Sequence, residues 1–91
     1  MSVAEFLVRG VSLEEGVAVV SGIVNKGEVK KGATFRLLKS QASLEKLVDL
    51  SVAKIVTYRH EVAELPNGMS GDLYLVGVGM ESIQAHDMLE E

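Results

Sequence analysis

The sequence of 91 residues contains neither cysteine nor tryptophan, and aromatic side chains make up only 4% of it. Without cysteine it has no disulfide framework and no thiolate zinc site, so nothing points to an oxidising compartment. With so few aromatic side chains, we do not expect a platform on which single-stranded bases stack. These absences count against a disulfide-stapled scaffold and against an aromatic single-strand binder.

Long apolar segments are also missing. No apolar run approaches the ~20 residues that a membrane-spanning helix needs, and the N-terminal residues MSVAEFLVRG lack the basic and apolar segments of a secretory signal. We therefore expect a soluble protein in the cytoplasm. Because Met1 lies close to the first predicted strand, we expect a complete small protein, with a domain excised from a longer chain as the alternative.

Positive charge is scarce. Nine lysine and arginine residues stand against 13 aspartate and glutamate residues, which gives a formal net charge of -4. Since lysine and arginine drive phosphate binding by displacing counterions, we do not expect a whole surface that grips nucleic acid, whereas a local basic patch is allowed. The length fits a single domain, residues 1–91, with one modest core.

The residues that are present form a succession of β-strand patterns. Apolar side chains recur with a period of two, or occupy both faces, between turns of glycine and polar residues. The predicted strands are residues 4–11, 17–25, 33–39, 47–58 and 72–78, with a final apolar edge at Met88 and Leu89. About six strands with glycine-bearing turns at intervals of roughly 8 to 12 residues predict an all-β barrel or sandwich.

The alternation within the strands also predicts which side chains face the core. In the third strand, Phe35 and Leu37 are expected inside. In the fourth strand, the apolar residues up to Val52 are in phase, but Ile55 is displaced by one residue, so the strand either ends there or carries a β-bulge. The β-forming residues from Lys54 to Tyr58 favour the bulge. Residues 12–16 predict a hairpin loop.

The remaining connections are predicted from their turn residues. Residues 66–68 (Pro-Asn-Gly) predict a tight turn, and residues 40–46 fit either a loop or one helical turn capped by Ser43. Short helical turns are predicted at residues 61–65 and 80–84.

A glycine motif occupies the connection between the second and third predicted strands. Its pattern is G-x-V-x-x-G-x-V-x-x-G, formed by Gly22, Val24, Gly27, Val29 and Gly32. Gly27 and Gly32 flank one inward-facing valine, and each is predicted at a bend where a positive φ is wanted and only glycine is free of steric cost. Gly22 marks a place where the sheet coils sharply or another backbone approaches closely.

This motif resembles the second domain of translational GTPases such as elongation factor Tu and the selenocysteine-specific elongation factor. Further along, Gly68 and Gly77, with Leu73 and Leu75 between them, are similar to that family's G-x-x-x-x-L-x-L-x-G. The resemblance covers nearly the whole chain. It implies a closed six-stranded Greek-key barrel with one or two short helical turns, in which the structural glycines are Gly22, Gly27, Gly32, Gly68 and Gly77.

The sequence departs from that family at positions that bear on function. Where elongation factor Tu has an acidic pair that helps to hold the aminoacyl end of tRNA, this sequence has Arg9 and Gly10. The family's Asp-Asn near that pocket corresponds to Met69 and Ser70. Aminoacyl-tRNA binding is therefore not carried over. No G-x-x-x-x-G-K-[ST] motif is present, so the resemblance brings no GTP-binding site to this chain.

One candidate binding site is a cluster of cations around the glycine motif. Lys26, Lys30, Lys31 and Arg36 are close in sequence and form a candidate basic patch for an RNA backbone. The alternative, which the residue pattern favours, is that turn lysines only keep the protein soluble and protect strand edges. Arg59 with His60 would extend the patch if the fold brings them alongside.

Nothing in the sequence predicts a reaction. His60 and His86 have no neighbours at the spacing of metal ligands, and no base is marked beside Ser21 or Ser70. We therefore expect no catalytic residue, no metal, no cofactor and no enzymatic activity. The predicted function is a binding module that contacts RNA or the ribosome. The alternative is a protein-interaction or oligomerisation adaptor that kept the barrel without RNA binding.

Overall fold

The computed structural model describes residues 3–40 and 44–91, and most of them lie in β-strands. The strands are β1 (Glu5–Glu14), β2 (Val17–Lys26), β3 (Val29–Lys30), β4 (Thr34–Lys39), β5 (Glu45–Thr57), β6 (His60–Val62), β7 (Glu64–Leu65), β8 (Ser70–Val78) and β9 (Met88–Glu90). A short 3₁₀ turn, Met80–Ser82, follows β8. Within the described ranges, no helix has the length and apolar character needed to cross a membrane.

Six of the strands pair in a ring, and every pair is antiparallel. Starting from β1, the order is β1, β2, β8, β5, β4 and β9, and β9 pairs again with β1. These six strands are the six that the sequence pattern predicts. The short strand β6 pairs with β5, and β3 and β7 form a separate two-stranded sheet. The all-β prediction is confirmed.

The core fills the inside of the ring because inward and outward side chains alternate along each strand. Each fully buried large apolar side chain contributes roughly 1.5–3 kcal/mol. The largest fully buried side chains are Phe6, Phe35, Leu50, Ile55, Leu65, Leu73, Leu75 and Leu89. Val29, predicted to face inward from the glycine motif, is also fully buried.

Two irregularities in register decide which side chains enter the core. The shift between Val52 and Lys54 in the pairing of β5 with β8 is the bulge that the position of Ile55 predicts, so that prediction is confirmed. A second shift lies between Phe35 and Leu37 in the pairing of β4 with β5. Beyond this second shift the alternation on β4 is displaced by one residue. Leu38 is therefore buried, and the prediction that Leu37 lies inside is wrong.

Some connections differ from their predictions. In place of a loop at residues 12–16, β1 and β2 continue to the pair Glu14 and Val17, because the turn needs only two residues. Residues 61–65 are not a helical turn, since their backbone groups pair as strands with β5 and β3.

The other two turns are confirmed. The Met69 N–H donates to the Pro66 carbonyl at 3.1 Å, which fixes the turn at residues 66–68, and the 3₁₀ turn lies within residues 80–84. The proposed cap at Ser43 lies outside the described residues, and β5 begins at Glu45.

The last strand, β9, joins β1 to β4 although it is only three residues long. Leu89 is fully buried, and the Lys39 ammonium lies 2.9 Å from the Glu90 carboxylate. The hydrogen bond from Lys39 lowers the pKa of Glu90, and the same bond raises the pKa of Lys39. The ring is therefore held at this point by one buried side chain, one ion pair and the strand's backbone hydrogen bonds.

The five glycines fall into two groups. Gly27, Gly32, Gly68 and Gly77 have positive φ values of 67, 91, 82 and 135°. Gly22 is different, because its φ is not positive and its constraint is a close approach. A Cβ there would overlap the Leu7 carbonyl oxygen and lie 2.8 Å from a ring carbon of Phe6.

Candidate functional site

An open groove of ≈ 430 Å³ combines charged and aromatic side chains. It crosses four neighbouring strands of the ring, β1, β2, β8 and β5, and ends at the turn between β5 and β6. Its lining residues are Arg9, Ser21, Gly22, Val56, Thr57, Tyr58, Arg59, Ser70, Gly71 and Asp72. We call it the arginine groove, after Arg9 and Arg59.

Arg9 enters the groove because β1 is irregular at that residue. Val8 pairs with Gly22, but the next pair is Gly10 with Ser21, so Arg9 is an extra residue on β1. A bulge of this kind leaves one residue unpaired and redirects its side chain. The Arg9 side chain is accordingly exposed on one wall of the groove.

Tyr58 and Arg59 form the opposite wall from a two-residue turn. Thr57 pairs with His60 across this turn, and its two central residues have φ values of 50° and 66°. Positive φ at both positions is the geometry of a type I′ turn, which asparagine and glycine ordinarily occupy. Two larger residues hold this conformation at a cost of about 1–2 kcal/mol each. Tyr58 is 79% exposed, so core packing does not explain its presence.

Small residues make the floor between these walls. Gly22 and Gly71 are directly opposite each other on β2 and β8, and Ser21 and Ser70 flank them. The Thr57 hydroxyl donates to the Ser70 carbonyl at 2.8 Å, which ties the floor to the end of β5. The floor is therefore flat and offers the hydroxyl groups of two serines.

The charge in the groove is mainly positive. Within residues 3–40 and 44–91, neither Arg9 nor Arg59 takes part in an ion pair, although Asp72 also lines the groove. A guanidinium has a planar fork of donors that suits phosphate or carboxylate oxygens. An exposed tyrosine ring offers a face on which a base stacks. The arrangement suits an anionic ligand with a planar group.

The lysines of the glycine motif have a different environment. The Lys30 ammonium lies 3.4 Å from the Glu28 carboxylate, and the Lys31 ammonium lies 3.7 Å from that of Glu61. All four side chains are at least 47% exposed. Surface pairs of this kind contribute about 0–1 kcal/mol, but each places a negative charge beside a lysine.

The fold separates the other two members of the predicted patch. Lys26 ends β2, and Arg36 points outward from β4. In the ring, β2 and β4 are three positions apart, so the two strands lie on opposite sides. Arg59, expected beside the lysines together with His60, instead lines the groove with Arg9. The RNA-binding role of Lys26, Lys30, Lys31 and Arg36 stays a prediction.

The fold brings no cluster of metal ligands together around the histidines in the described residues. No group of three or more histidine, cysteine, aspartate or glutamate residues that would hold a metal ion is found in the part of the chain that the structure describes. His86 lies in a tight connection with φ 75°, and its N–H donates to the Val8 carbonyl at 2.7 Å. The backbone of His86 therefore fixes the connection that leads into β9.

Two solved structures of translation elongation factor SelB from Methanococcus maripaludis are similar to this chain. The apo form matches with a TM-score of 0.76 and 20% sequence identity, over 98% of this chain and 19% of that chain. The complex with the GTP analogue GppNHp matches with a TM-score of 0.73 and 21% identity, over 100% and 19%. The chain has the fold of a SelB domain. It spans about a fifth of the length of those SelB chains.

The likeness to SelB confirms the resemblance in fold to a translation elongation factor domain that the glycine motifs predicted. At 20% and 21% identity it carries the fold alone. No family model matches the sequence, and no curated protein matches it.

Sequence reasoning noted Arg9 and Arg59 but did not place them together, and it missed Tyr58 as a site residue. The groove brings together residues from positions 9 to 72, which are far apart in the chain. One feature of the sequence could have indicated this site. Tyr58 and Arg59 follow a strand and precede another at the two-residue spacing of a hairpin, where asparagine and glycine are usual.

Proposed function

We propose that this chain is a non-enzymatic RNA-binding module of the translation-factor type. Its ring of strands is a closed six-stranded Greek-key barrel, and it holds RNA in the arginine groove. The observation that carries the proposal is the pair of arginines, Arg9 and Arg59, facing a floor of small residues beside an exposed tyrosine. The likeness to SelB in fold supports a role in translation.

The groove suits RNA for three chemical reasons. The two guanidinium groups supply bidentate donors to phosphate oxygens. The Tyr58 ring supplies a stacking face, and unpaired RNA bases commonly stack on aromatic side chains. The hydroxyls of Ser21 and Ser70 supply donors and acceptors for ribose or base groups. A single-stranded or looped RNA segment fits this combination better than a duplex, whose bases are not available for stacking.

The small size of the basic area is consistent with the net charge of -4. Binding would depend on a few phosphate contacts, so it would be weak, and its salt slope would be about one per contact. In this proposal the four cations of the predicted patch contribute only general electrostatic attraction to RNA, because two of them are already paired with carboxylates. The four are Lys26, Lys30, Lys31 and Arg36.

The test is a salt titration of binding. Fluorescently labelled protein is titrated with bulk tRNA and with ribosomal subunits, from low to physiological ionic strength, and anisotropy is recorded. We expect binding that weakens as salt rises, with a slope set by about two phosphate contacts. Arg9→Gln and Arg59→Gln should each weaken it by about tenfold and lower the salt slope by about one.

Lys30→Gln serves as the matched control, because it removes one charge outside the groove. We expect it to change the affinity by less than about twofold, since its charge is already compensated by Glu28. If no binding occurs to either RNA at low ionic strength, the proposal is wrong. If Lys30→Gln weakens binding more than Arg59→Gln does, the site is the lysine cluster instead.

A further inference from the structure

A single carboxylate lies on the floor of the arginine groove. Asp72 is on β8, where it pairs with Ser21 of β2 on one side and with Val56 of β5 on the other. Both partners line the groove, and the next residue, Leu73, is fully buried in the core. Because successive side chains of a strand point to opposite faces, Asp72 points outward into the groove.

The two walls of the groove lie on either side of this carboxylate. On one side, Arg9 is the extra residue of β1 next to Ser21. On the other side, Tyr58 follows Val56 by two residues, just beyond the end of β5. Neighbouring strands are about 4.8 Å apart, so Asp72 lies about two strand spacings from β1 and one from β5.

No group of the protein occupies the Asp72 carboxylate. Within residues 3–40 and 44–91 it forms neither an ion pair nor a side-chain hydrogen bond. In the same ranges, every fully buried side-chain nitrogen or oxygen atom has a hydrogen-bond partner. The Asp72 oxygens have none and are therefore not fully buried. They are available to a ligand in the groove.

A carboxylate in an RNA site has a different task from that of the arginines. It accepts hydrogen bonds and donates none, so it repels phosphate and attracts groups that carry N–H donors. Its two oxygens can accept two parallel N–H bonds at once. In single-stranded RNA such donors are exposed on the Watson–Crick edges of unpaired bases.

Guanine is the base whose Watson–Crick edge matches a carboxylate. Its N1–H and its 2-amino group are neighbouring donors, one for each carboxylate oxygen. Adenine and cytosine each present an amino donor beside a ring-nitrogen acceptor, and uracil presents one N–H between two carbonyl acceptors. On those three bases, the second carboxylate oxygen would face an acceptor.

We propose that Asp72 selects guanine in the RNA that the arginine groove binds. This selection rests on the RNA-binding function proposed above and adds the identity of one base. A guanine stacks on Tyr58, and its N1–H and 2-amino group donate to the Asp72 carboxylate. Arg9 and Arg59 hold the neighbouring phosphates.

Anisotropy titrations with four short RNAs test the selection. The RNAs are uridine-rich single strands that differ only at the central base, which is guanine, adenine, cytosine or uracil. Wild type should bind the guanine RNA at least about fivefold more tightly than each of the other three. Asp72→Asn replaces one acceptor oxygen by an NH₂ donor and should show no preference for guanine.

Inosine tests the same contact from the side of the RNA. It keeps the N1–H of guanine but lacks the 2-amino group, so one of the two donors is removed. Inosine in place of the central guanine should weaken binding to wild type by about threefold or more. The same replacement should leave the affinity of Asp72→Asn unchanged. A role of Asp72 in general repulsion of RNA would not produce this coupling.

Asp49→Asn is the matched control, because it removes the same charge from an exposed aspartate of β5 that does not line the groove. It should keep the guanine preference of wild type. Circular dichroism melts check that each variant is folded.

Equal binding of the four RNAs by wild type would overturn the selection of guanine and leave the groove as a non-selective RNA site. A guanine preference that persists in Asp72→Asn would also overturn it, since another group would then read the base. If none of the four RNAs binds at low ionic strength, the proposed function itself is wrong, and the selection of guanine is wrong with it.

Discussion

Tyr58 and Arg59 occupy a turn whose backbone would be more stable with other residues. Both have positive φ, and both side chains point to the groove instead of the core. Residues held in an unfavourable conformation are frequent at functional sites, where the side chain serves a purpose that offsets the strain. In our account, the purpose is to place a cation and an aromatic ring on one wall of the groove.

Replacing Arg59 by glycine separates stability from binding. Glycine adopts positive φ without steric cost, so Arg59→Gly should raise the stability by about 1 kcal/mol and the melting temperature by roughly 4–8 °C. The same change removes a groove cation and should weaken RNA binding about tenfold. Thermal melts and the anisotropy titration measure the two effects.

Arg59→Gln is the control for this prediction, since it removes the charge and keeps the strained turn. It should weaken binding equally without any gain in melting temperature. A less stable Arg59→Gly protein would contradict the strain that we assign to this turn.

Gly22 is a residue at which a single methyl group should be strongly destabilising. A Cβ there would overlap the Leu7 carbonyl oxygen of the neighbouring strand, and backbone cannot move aside cheaply. Gly22→Ala should therefore destabilise the protein by more than about 3 kcal/mol. Urea denaturation measures the change.

Gly10→Ala is the matched control, because a Cβ at Gly10 has no neighbour within 4 Å and its φ is not positive. It should alter the stability by less than about 1 kcal/mol. Equal effects of the two substitutions would show that β1 and β2 do not approach as closely as described here.

At the scale of elements, the strands were predictable where the alternation of apolar and polar residues is visible within a single segment. The predicted bulge near Ile55 was visible because both halves of β5 carry apolar residues whose phase slips by one. The irregularity on β4 was not visible, because Leu37 and Leu38 are both leucine and either satisfies the pattern. Only the register with β5 decides that Leu38 is the buried one.

The very short strands β3, β6 and β7 were also not predicted. Glu61 to Leu65 resembles a helical turn in isolation, but its backbone groups are paired by β5 and by Val29 and Lys30 of β3. Tertiary pairing of this kind overrides local propensity, and a segment of two or three residues carries too little pattern to reveal it.

The closing strand β9 makes the ring sensitive to acid. The pKa of Glu90 is lowered by its hydrogen bond from Lys39, so ionised Glu90 stabilises the folded state. This contribution is fully present above the pKa that a glutamate has in the unfolded chain, about 4.3. It is lost as the pH falls further, through the lower pKa of the folded state.

Glu90→Gln should therefore remove part of the acid dependence of stability. We expect the melting temperature of wild type to exceed that of the variant at pH 6 and the difference to shrink towards pH 3. Glu15→Gln, in the exposed hairpin turn, should show no such convergence. A difference that stays constant from pH 6 to pH 3 would mean that the ion pair with Lys39 does not hold β9 in solution.

At the scale of the whole molecule, the fold was predictable and the site was not. The glycine motif specifies bends and close approaches that suit one kind of ring, and the likeness to SelB confirms it. The candidate basic patch stays a prediction, and the topology decides which of its members lie together. Lys26, Lys30, Lys31 and Arg36 are neighbours in sequence, but the ring order places β2 and β4 on opposite sides.

The residues that the ring does bring together come from four strands and one turn. Arg9 and Arg59 are fifty residues apart in sequence, and a bulge on β1 and a strained turn after β5 direct them into one groove. Neither the bulge nor the strained turn can be recognised as part of a site without knowing the order of the strands. In our proposal, RNA binding thus depends on local irregularities in a regular ring.

The most direct test of the central claim is to map RNA binding on the protein by NMR. Uniformly ¹⁵N-labelled protein is titrated with a short single-stranded RNA, and amide shift changes are followed residue by residue. We expect the largest changes to cluster at Arg9, Ser21, Gly22, Ser70, Gly71 and the turn of Tyr58 and Arg59. Changes centred on Lys26, Lys30 and Lys31, or no changes at low salt, would contradict it.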